Sequence, residues 1–221
     1  MLVKLFILGL PGSGKSTVAR TAKYVSENWG WKTNHINDYA ILQQMYHDDS
    51  QRIQFKPSEF GGFDVLDLTV FDTALKKLEQ EVNCYFSEKS DEIILIEFSR
   101  NDYHKAFHQF SQKFLQGAYF LYLAVDIETC KRRIRERIAN PTTPDDHFVS
   151  DYIFSAYYNR DNGQYIPHIL EEDYGIDRQR VMIIDNTCSI REVSMKINSL
   201  IDFLIVGVGT AEVQEVLASM T

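Results

Sequence analysis

Apolar residues along this chain fall into two kinds of pattern. Short, nearly continuous runs occur at LVKLFIL (2–8), EIILIEF (92–98), AYFLYLAV (118–125) and RVMIID (180–185). Apolar residues at successive positions over that length suit strands covered on both faces, as in a parallel sheet. KTNHI (32–36) is a weaker fifth strand, placed mainly by its position along the chain. Between the runs the period changes. Residues 14–28, 127–138 and 189–204 read as helices. From Asp64 to Lys89, the residues Leu68, Phe71, Leu75, Leu78 and Val82 recur at helical intervals. YHKAFHQFSQKFLQ (103–116) reads as one more helix, with Phe107, Phe110 and Phe114 on one face. Strand alternating with helix predicts an α/β fold: a doubly wound, five-stranded parallel sheet with right-handed crossovers.

Two segments interrupt the alternation. Residues 39–66 lie where a plain crossover needs only one helix. Residues 139–175 follow the fourth strand and open on the turn-rich ANPTTPDDHF. Insertions at loop ends of such a sheet lie near the crevice at the carboxyl ends of the strands. The chain is therefore expected to be a single domain over 1–221. A substrate cap is expected at about 39–66 and a lid at about 131–175, with surface decoration as the plainer alternative for each.

The first strand runs into GLPGSGKST (9–17), which has the G-x-x-x-x-G-K-[ST] spacing, and a helix follows. Glycines let the backbone wrap tightly and turn successive N–H groups inward. The helix start adds unsatisfied donors and a partial positive charge. Together these make a phosphate cradle from Gly9, Pro11, Gly12, Ser13, Gly14, Lys15, Ser16 and Thr17. Lys15 is expected on the β/γ-phosphates of a nucleotide and the Ser16 hydroxyl on Mg²⁺. The alternative is a glycine-rich turn that only joins strand to helix.

Composition narrows the partners. With 44% hydrophobic and 24% charged residues among 221, the chain can build a core and is not disordered. A net charge of −8 argues against a globally basic nucleic-acid binder. Cys84, Cys130 and Cys188 make no C-x-x-C pair and are expected as reduced, mostly buried thiols of a cytoplasmic protein. The apolar start is too short for a signal peptide and runs straight into the glycine loop. FLIVGVG (203–209) is far too short to span a membrane.

Other chemistry gathers at strand ends. Asp38 follows the weak strand, where it can accept a proton from a substrate hydroxyl or cap the next helix. IEFSR ends the third strand in chain order, and places Glu97 and Arg100 beside the glycine loop if the first and third strands are neighbours. There Glu97 can hold Mg²⁺ or act as base, and Arg100 can clamp an anionic acceptor. A Glu97–Arg100 ion pair is the structural alternative. CKRRIRERI (130–138) puts Arg133 and Arg137 on one helix face with Arg132 beside them. One or two of these arginines are expected on phosphate, against a solvated basic face. Asp185, Asn186 and Thr187 end the last strand, where they can meet a base or cap a helix. His104 and His108 have the i, i+4 spacing of metal ligands, but only KAF lies between them, and a surface role is expected. Tyr39, Phe55, Phe60 and Phe63 can stack on a flat substrate or pack in the core.

Taken together, GLPGSGKST, Asp38, IEFSR, the arginine-rich helix and IDNT resemble the nucleoside and nucleotide kinases of the P-loop proteins, the adenylate-kinase-like fold. The resemblance spans residues 1 to about 200. It implies sheet order 2-3-1-4-5, with ATP and Mg²⁺ as cofactors and a small-molecule acceptor bound in a cap after the second strand. It implies that Glu97 is the acid of the third strand and Arg100 the substrate-phosphate arginine. It further implies lid arginines among Arg132, Arg133, Arg135 and Arg137, and an adenine loop at Asp185–Thr187. Where adenylate kinases carry D-G-x-P-R, this chain has EFSR, so the acceptor stays open between nucleoside, nucleotide and other small metabolites. The expected activity is an ATP-dependent phosphotransferase, without a nucleic-acid or membrane partner. The competing reading is an NTP-hydrolysing switch or nucleotide-binding regulatory module, although the N-K-x-D run of the usual GTP sites does not occur.

Overall fold

The computed structural model describes residues 1–85, 91–139 and 148–206. In chain order its elements begin β1 (Leu2–Gly9), α1 (Lys15–Asn28), β2 (Lys32–Asn37), α2 (Asp38–Asp48), β3 (Phe55–Pro57), β4 (Phe63–Val65), α3 (Thr69–Cys84) and β5 (Glu92–Phe98). They continue α4 (Tyr103–Phe107), α5 (Gln112–Leu115), β6 (Tyr119–Ala124), α6 (Ile127–Ala139), α7 (Asp151–Ala156), α8 (Ile166–Tyr174), β7 (Val181–Asp185) and α9 (Ile190–Val206).

All five expected strands form one sheet, in the order β2-β5-β1-β6-β7, with every pairing parallel. With the β3–β4 hairpin set aside, that is the expected 2-3-1-4-5 order. The continuous apolar runs follow from covering both faces. Val3, Leu5 and Ile7 pack with Val18 and Ala22 of α1 and with Ile197 and Ile201 of α9. The intervening Phe6 and Leu8 point the other way, into the larger core built with α3, α4, α7 and α8. There Phe6 stacks on Phe120 at 4.9 Å and meets Phe98, Phe110 and Phe114 edge-on. Truncating a ring so enclosed costs about 3–5 kcal/mol.

Local differences from the sequence pattern have local causes. Residues 103–116 form two short helices instead of one. Ser111 starts the second by accepting the Phe114 N–H, and its own N–H donates to Glu79 Oε2 at 2.9 Å. Phe107, Phe110 and Phe114 are nonetheless all buried. The antiparallel β3–β4 hairpin within 39–66 has no clear strand signature in sequence, being three residues a side. Asp49 gathers its entry by accepting the N–H groups of Ile53, Gln54 and Phe55. Cys130 is buried, but Cys84 and Cys188 are exposed, contrary to the expectation of mostly buried thiols. Most of ANPTTPDDHF and the tail beyond Val206 lie outside the described residues. Among the described residues, no helix is long and apolar enough to cross a membrane.

Candidate active site

The 9–17 loop is pressed between α6 and the turn after β7. Gly12 has φ +82°, and a Cβ there would come 2.5 Å from the Cys130 carbonyl oxygen. Gly14 has φ +98°, and a Cβ there would come 2.5 Å from Asn186 Nδ2. Both positions therefore need glycine for conformation and for space. Asn186 Nδ2 donates to the Ser13 carbonyl at 2.6 Å, and Arg133 donates to the Asn186 carbonyl at 2.7 Å. The Gly9 N–H donates to the Tyr103 hydroxyl at 2.8 Å. Tyr103 had no sequence signal beyond an apolar helix face. Lys15 is buried and donates to the Leu10 carbonyl at 3.0 Å. Burial lowers its pKa from the usual lysine value, against the opposing pull of Glu97 and Asp38.

Glu97 arrives beside this loop because β5 pairs directly with β1 and sets Glu97 opposite Ile7. The Ser16 hydroxyl donates to Glu97 Oε1 at 3.1 Å. The other carboxylate oxygen lies 2.9 Å from His35 Nε2 on β2, which sequence reasoning missed. Burial pushes the Glu97 carboxyl up, but the His35 hydrogen bond, Lys15 and Ser16 together hold it below the usual range. It is thus an anion locked onto the hydroxyl that follows the loop lysine. Ser16 and Glu97 present converging hard oxygen donors beside a cradle that tolerates no side chains at Gly12 and Gly14, which is a set that fits Mg²⁺.

Asp38 follows β2, and Asn37 pairs with Glu97 in the register, so both acids stand on adjacent strand ends. Asp38 does not cap α2; Asn37 does, its side chain accepting the Ala40 N–H at 2.9 Å. The Asp38 carboxylate instead pairs with Arg100. The Glu97–Arg100 alternative is not what forms. Arg100 is only 1% exposed and also donates to the carbonyls of Ser99 and Phe71, with its guanidinium over the rings of Phe71 and Phe98. It therefore stands behind Asp38 and does not line the cavity, a placement different from the expected direct clamp on an acceptor. Burial raises the Asp38 pKa above the usual aspartate value even against the Arg100 charge.

Asp38 and Glu97 both line a cavity of about 350 Å³. Gly12, Gly14, Lys15 and Ser16 line it from the loop and the start of α1. Tyr39, Phe63, Phe71, Phe148 and Tyr158 also line it, as do Arg133 and Arg137. Of the aromatic candidates, Tyr39 and Phe63 stack in parallel at 5.7 Å on the cavity wall. Phe55 is core, and Phe60 lies outside against Phe148. Ser150 donates to Asp64, so residues from the two interrupting segments meet over this space. The arginines divide. Arg132 pairs outward with Glu136 at 3.1 Å and Arg135 with Asp151 at 2.8 Å, both exposed. Arg132 is thus turned away from the site where it was expected. A second cavity of about 230 Å³, lined by Gly14, Thr17, Arg133, Asn186 and Ile190, adjoins the loop on its other side. Asp185 turns back onto Thr187, while Ser189 and Glu192 cap α9 reciprocally.

A parallel sheet with a glycine loop leading from its central strand into a helix defines a P-loop protein. The chain matches the AAA domain family over residues 5–153 and belongs to that family. No curated protein sequence matches it. Its fold is shared with solved structures of low identity. A Chaetomium thermophilum Kti12 in complex with ADP-AlF3 is 14% identical, with a TM-score of 0.55 over 90% of this chain and 97% of that one. A sugar kinase from Janibacter is 16% identical, with a TM-score of 0.54 over 94% and 97%. The Mycobacterium tuberculosis APS kinase, in complex with AMPPNP and APS, is 12% identical, with a TM-score of 0.54 over 91% and 96%.

Proposed function

We propose that this protein is an ATP-dependent phosphotransferase acting on the hydroxyl or phosphate of a nucleoside, nucleotide or other small metabolite. The observation that carries the proposal is a second buried acid. Asp38 lines the same cavity as Lys15 and is paired with Arg100, which does not line it, an arrangement that hydrolysis at the loop alone does not require. The loop backbone at Gly12 and Gly14, with Lys15 and Thr17, would hold the nucleotide phosphates, and Asn186 would border its base. Ser16 and Glu97 would hold Mg²⁺, which when bound neutralises charge on the phosphates.

The two acids take different parts in this reading. Glu97 is kept ionised and tied to Ser16, so it serves the metal side. Asp38, with its raised pKa, is the better proton acceptor and takes the proton of an acceptor hydroxyl. A bond forms from that oxygen to the γ-phosphorus as the bond from the γ-phosphorus to its bridging oxygen breaks, and a nucleoside diphosphate leaves. For a phosphate acceptor, Asp38 only positions the group. Arg133 and Arg137 face the transferred charge. Residues 39–66 act as the cap and 131–175 as the lid, excluding water that would otherwise take the phosphate.

The competing reading is an NTP-hydrolysing switch or nucleotide-binding regulatory module. Presenting ATP–Mg²⁺ with a panel of nucleosides, nucleotides and metabolites separates the two. Transfer predicts that consumption rises sharply with one acceptor and that the acceptor gains phosphate. Consumption indifferent to every acceptor, but raised by a protein partner, supports the switch instead.

A further inference from the structure

Away from the phosphate site, the seam between α4 and α8 carries a group of side chains that phosphoryl transfer does not use. His104 and His108 stand one helical turn apart, and Asp173 reaches them from the end of α8. One ligand atom from each lies within 4.8 Å of the others, and all three residues are exposed. His104 Nε2 and Asp173 Oδ2 are 3.2 Å apart. Two donors bound to one tetrahedral zinc-class ion at ~2.0–2.1 Å lie about 3.3 Å from each other. The separation therefore suits a coordination edge as well as a hydrogen bond.

His108 supplies a second, independent indication. Its Nδ1 lies 2.8 Å from the His104 carbonyl oxygen and 3.3 Å from the Tyr174 hydroxyl. A ring nitrogen facing a carbonyl carries the proton, so the lone pair is left on Nε2. Metal-binding imidazoles are oriented by outer partners of this kind. Two imidazoles and a carboxylate suit zinc-class ions, whereas Mg²⁺ prefers all-oxygen sites. Exposure gives the ion an entry path and lets water complete the coordination.

We propose that His104, His108 and Asp173 bind a divalent transition-metal ion of the zinc class, which staples α4 to α8. The i, i+4 histidines were visible in sequence without a third ligand; the packing of α4 on α8 provides it. The staple falls next to Tyr103, whose hydroxyl accepts the first N–H of the phosphate loop, so it fixes the helix that grips that loop.

The nucleotide-free full chain, titrated with CoCl₂ and followed by visible absorption, tests this. One saturable equivalent with the bands of a tetrahedral N/O site is expected, displaced by ZnCl₂ and unaffected by MgCl₂. Saturating ZnCl₂ is expected to raise the Tm. His104→Ala or His108→Ala should weaken binding by more than about 100-fold, since outer partners alone are worth about 10–100-fold. Asp173→Asn serves as a second, near-isosteric variant and should also abolish the zinc-dependent rise in Tm. The exposed thiols Cys84 and Cys188 and the His35–Glu97 pair are untouched by these substitutions. Cobalt bands that survive in the histidine variants therefore overturn the site, as do the absence of saturable binding and a Tm unmoved by zinc.

Discussion

The two sides of the main cavity are built in opposite ways. The proposed phosphate side is backbone: glycines at positive φ, then a lysine and serine at the start of α1. The acceptor side is side chains from scattered places: Asp38, the Tyr39–Phe63 stack, Phe71, Phe148 and Tyr158. A backbone cradle recognises a group common to all nucleotides and needs a fixed local spacing. A side-chain wall recognises one molecule's shape and needs only that the fold deliver its parts. The comparison explains why nucleotide handling follows from nine residues while the acceptor's identity does not.

The sharpest way to break the comparison is at the loop. Lys15→Ala should lower phosphoryl transfer by about 10³-fold or more, the scale of losing a transition-state donor in a water-excluded site. Its Tm should hold, because the ammonium's hydrogen bond is to the neighbouring Leu10 carbonyl of the same loop. Retained turnover would remove the loop from the chemistry.

On the acceptor side the largest effect should be structural. Arg100→Ala leaves Asp38 buried and unpaired, which costs about 3–5 kcal/mol of stability, readable by denaturant unfolding. If Arg100 instead clamped the acceptor directly, the same change would raise KM and leave stability nearly intact. The basic helix offers a smaller, internal contrast. Arg133→Ala should weaken nucleotide binding about tenfold by loosening Asn186 from the loop, in keeping with a charged hydrogen bond of about 1.5 kcal/mol. Arg132→Ala should change little, within about 0.5 kcal/mol, as for other surface substitutions. Equal effects would mean that the helix acts through net charge alone.

Acidity provides the mildest probe. Because burial raises the Asp38 pKa, the acid limb of the rate profile should fall at a pH above the ordinary aspartate value of 3.8. The linkage to stability has opposite signs for the two acids. Asp38, with its raised pKa, favours folding below its unfolded value and loses that contribution as pH rises through the folded one. Glu97, with its lowered pKa, contributes above the ordinary glutamate value of 4.5 and loses that contribution as pH falls through the folded one. An acid limb at or below the ordinary aspartate value contradicts the assignment of Asp38 as the base.

Legibility in the sequence followed the same division. Strands covered on both faces announce themselves as continuous apolar runs, and the sheet order follows from the P-loop resemblance. Glu97 could be placed once β1 and β5 were taken as neighbours. His35 could not, because β2 carries only a weak signal and its value comes from pairing with β5. The same holds for Arg100: its position after β5 was readable, but whether it turns toward Glu97, Asp38 or solvent depends on the pocket made by Phe71 and Phe98. Tyr103 looked like any apolar helix residue, and only packing brings its hydroxyl to Gly9. The β3–β4 hairpin escaped because three-residue strands leave no periodicity to read.

The central claim is that the phosphate is transferred to an acceptor and that Asp38 serves that acceptor. The most direct measurement compares acceptor-dependent ATP consumption with basal hydrolysis in the wild type and in Asp38→Asn. The account predicts that acceptor-dependent turnover falls by about 10²–10⁴-fold for a hydroxyl acceptor, the usual worth of a positioned base, while basal hydrolysis and nucleotide affinity stay within a few fold. Equal loss of both activities, or unchanged acceptor-dependent turnover, would contradict it.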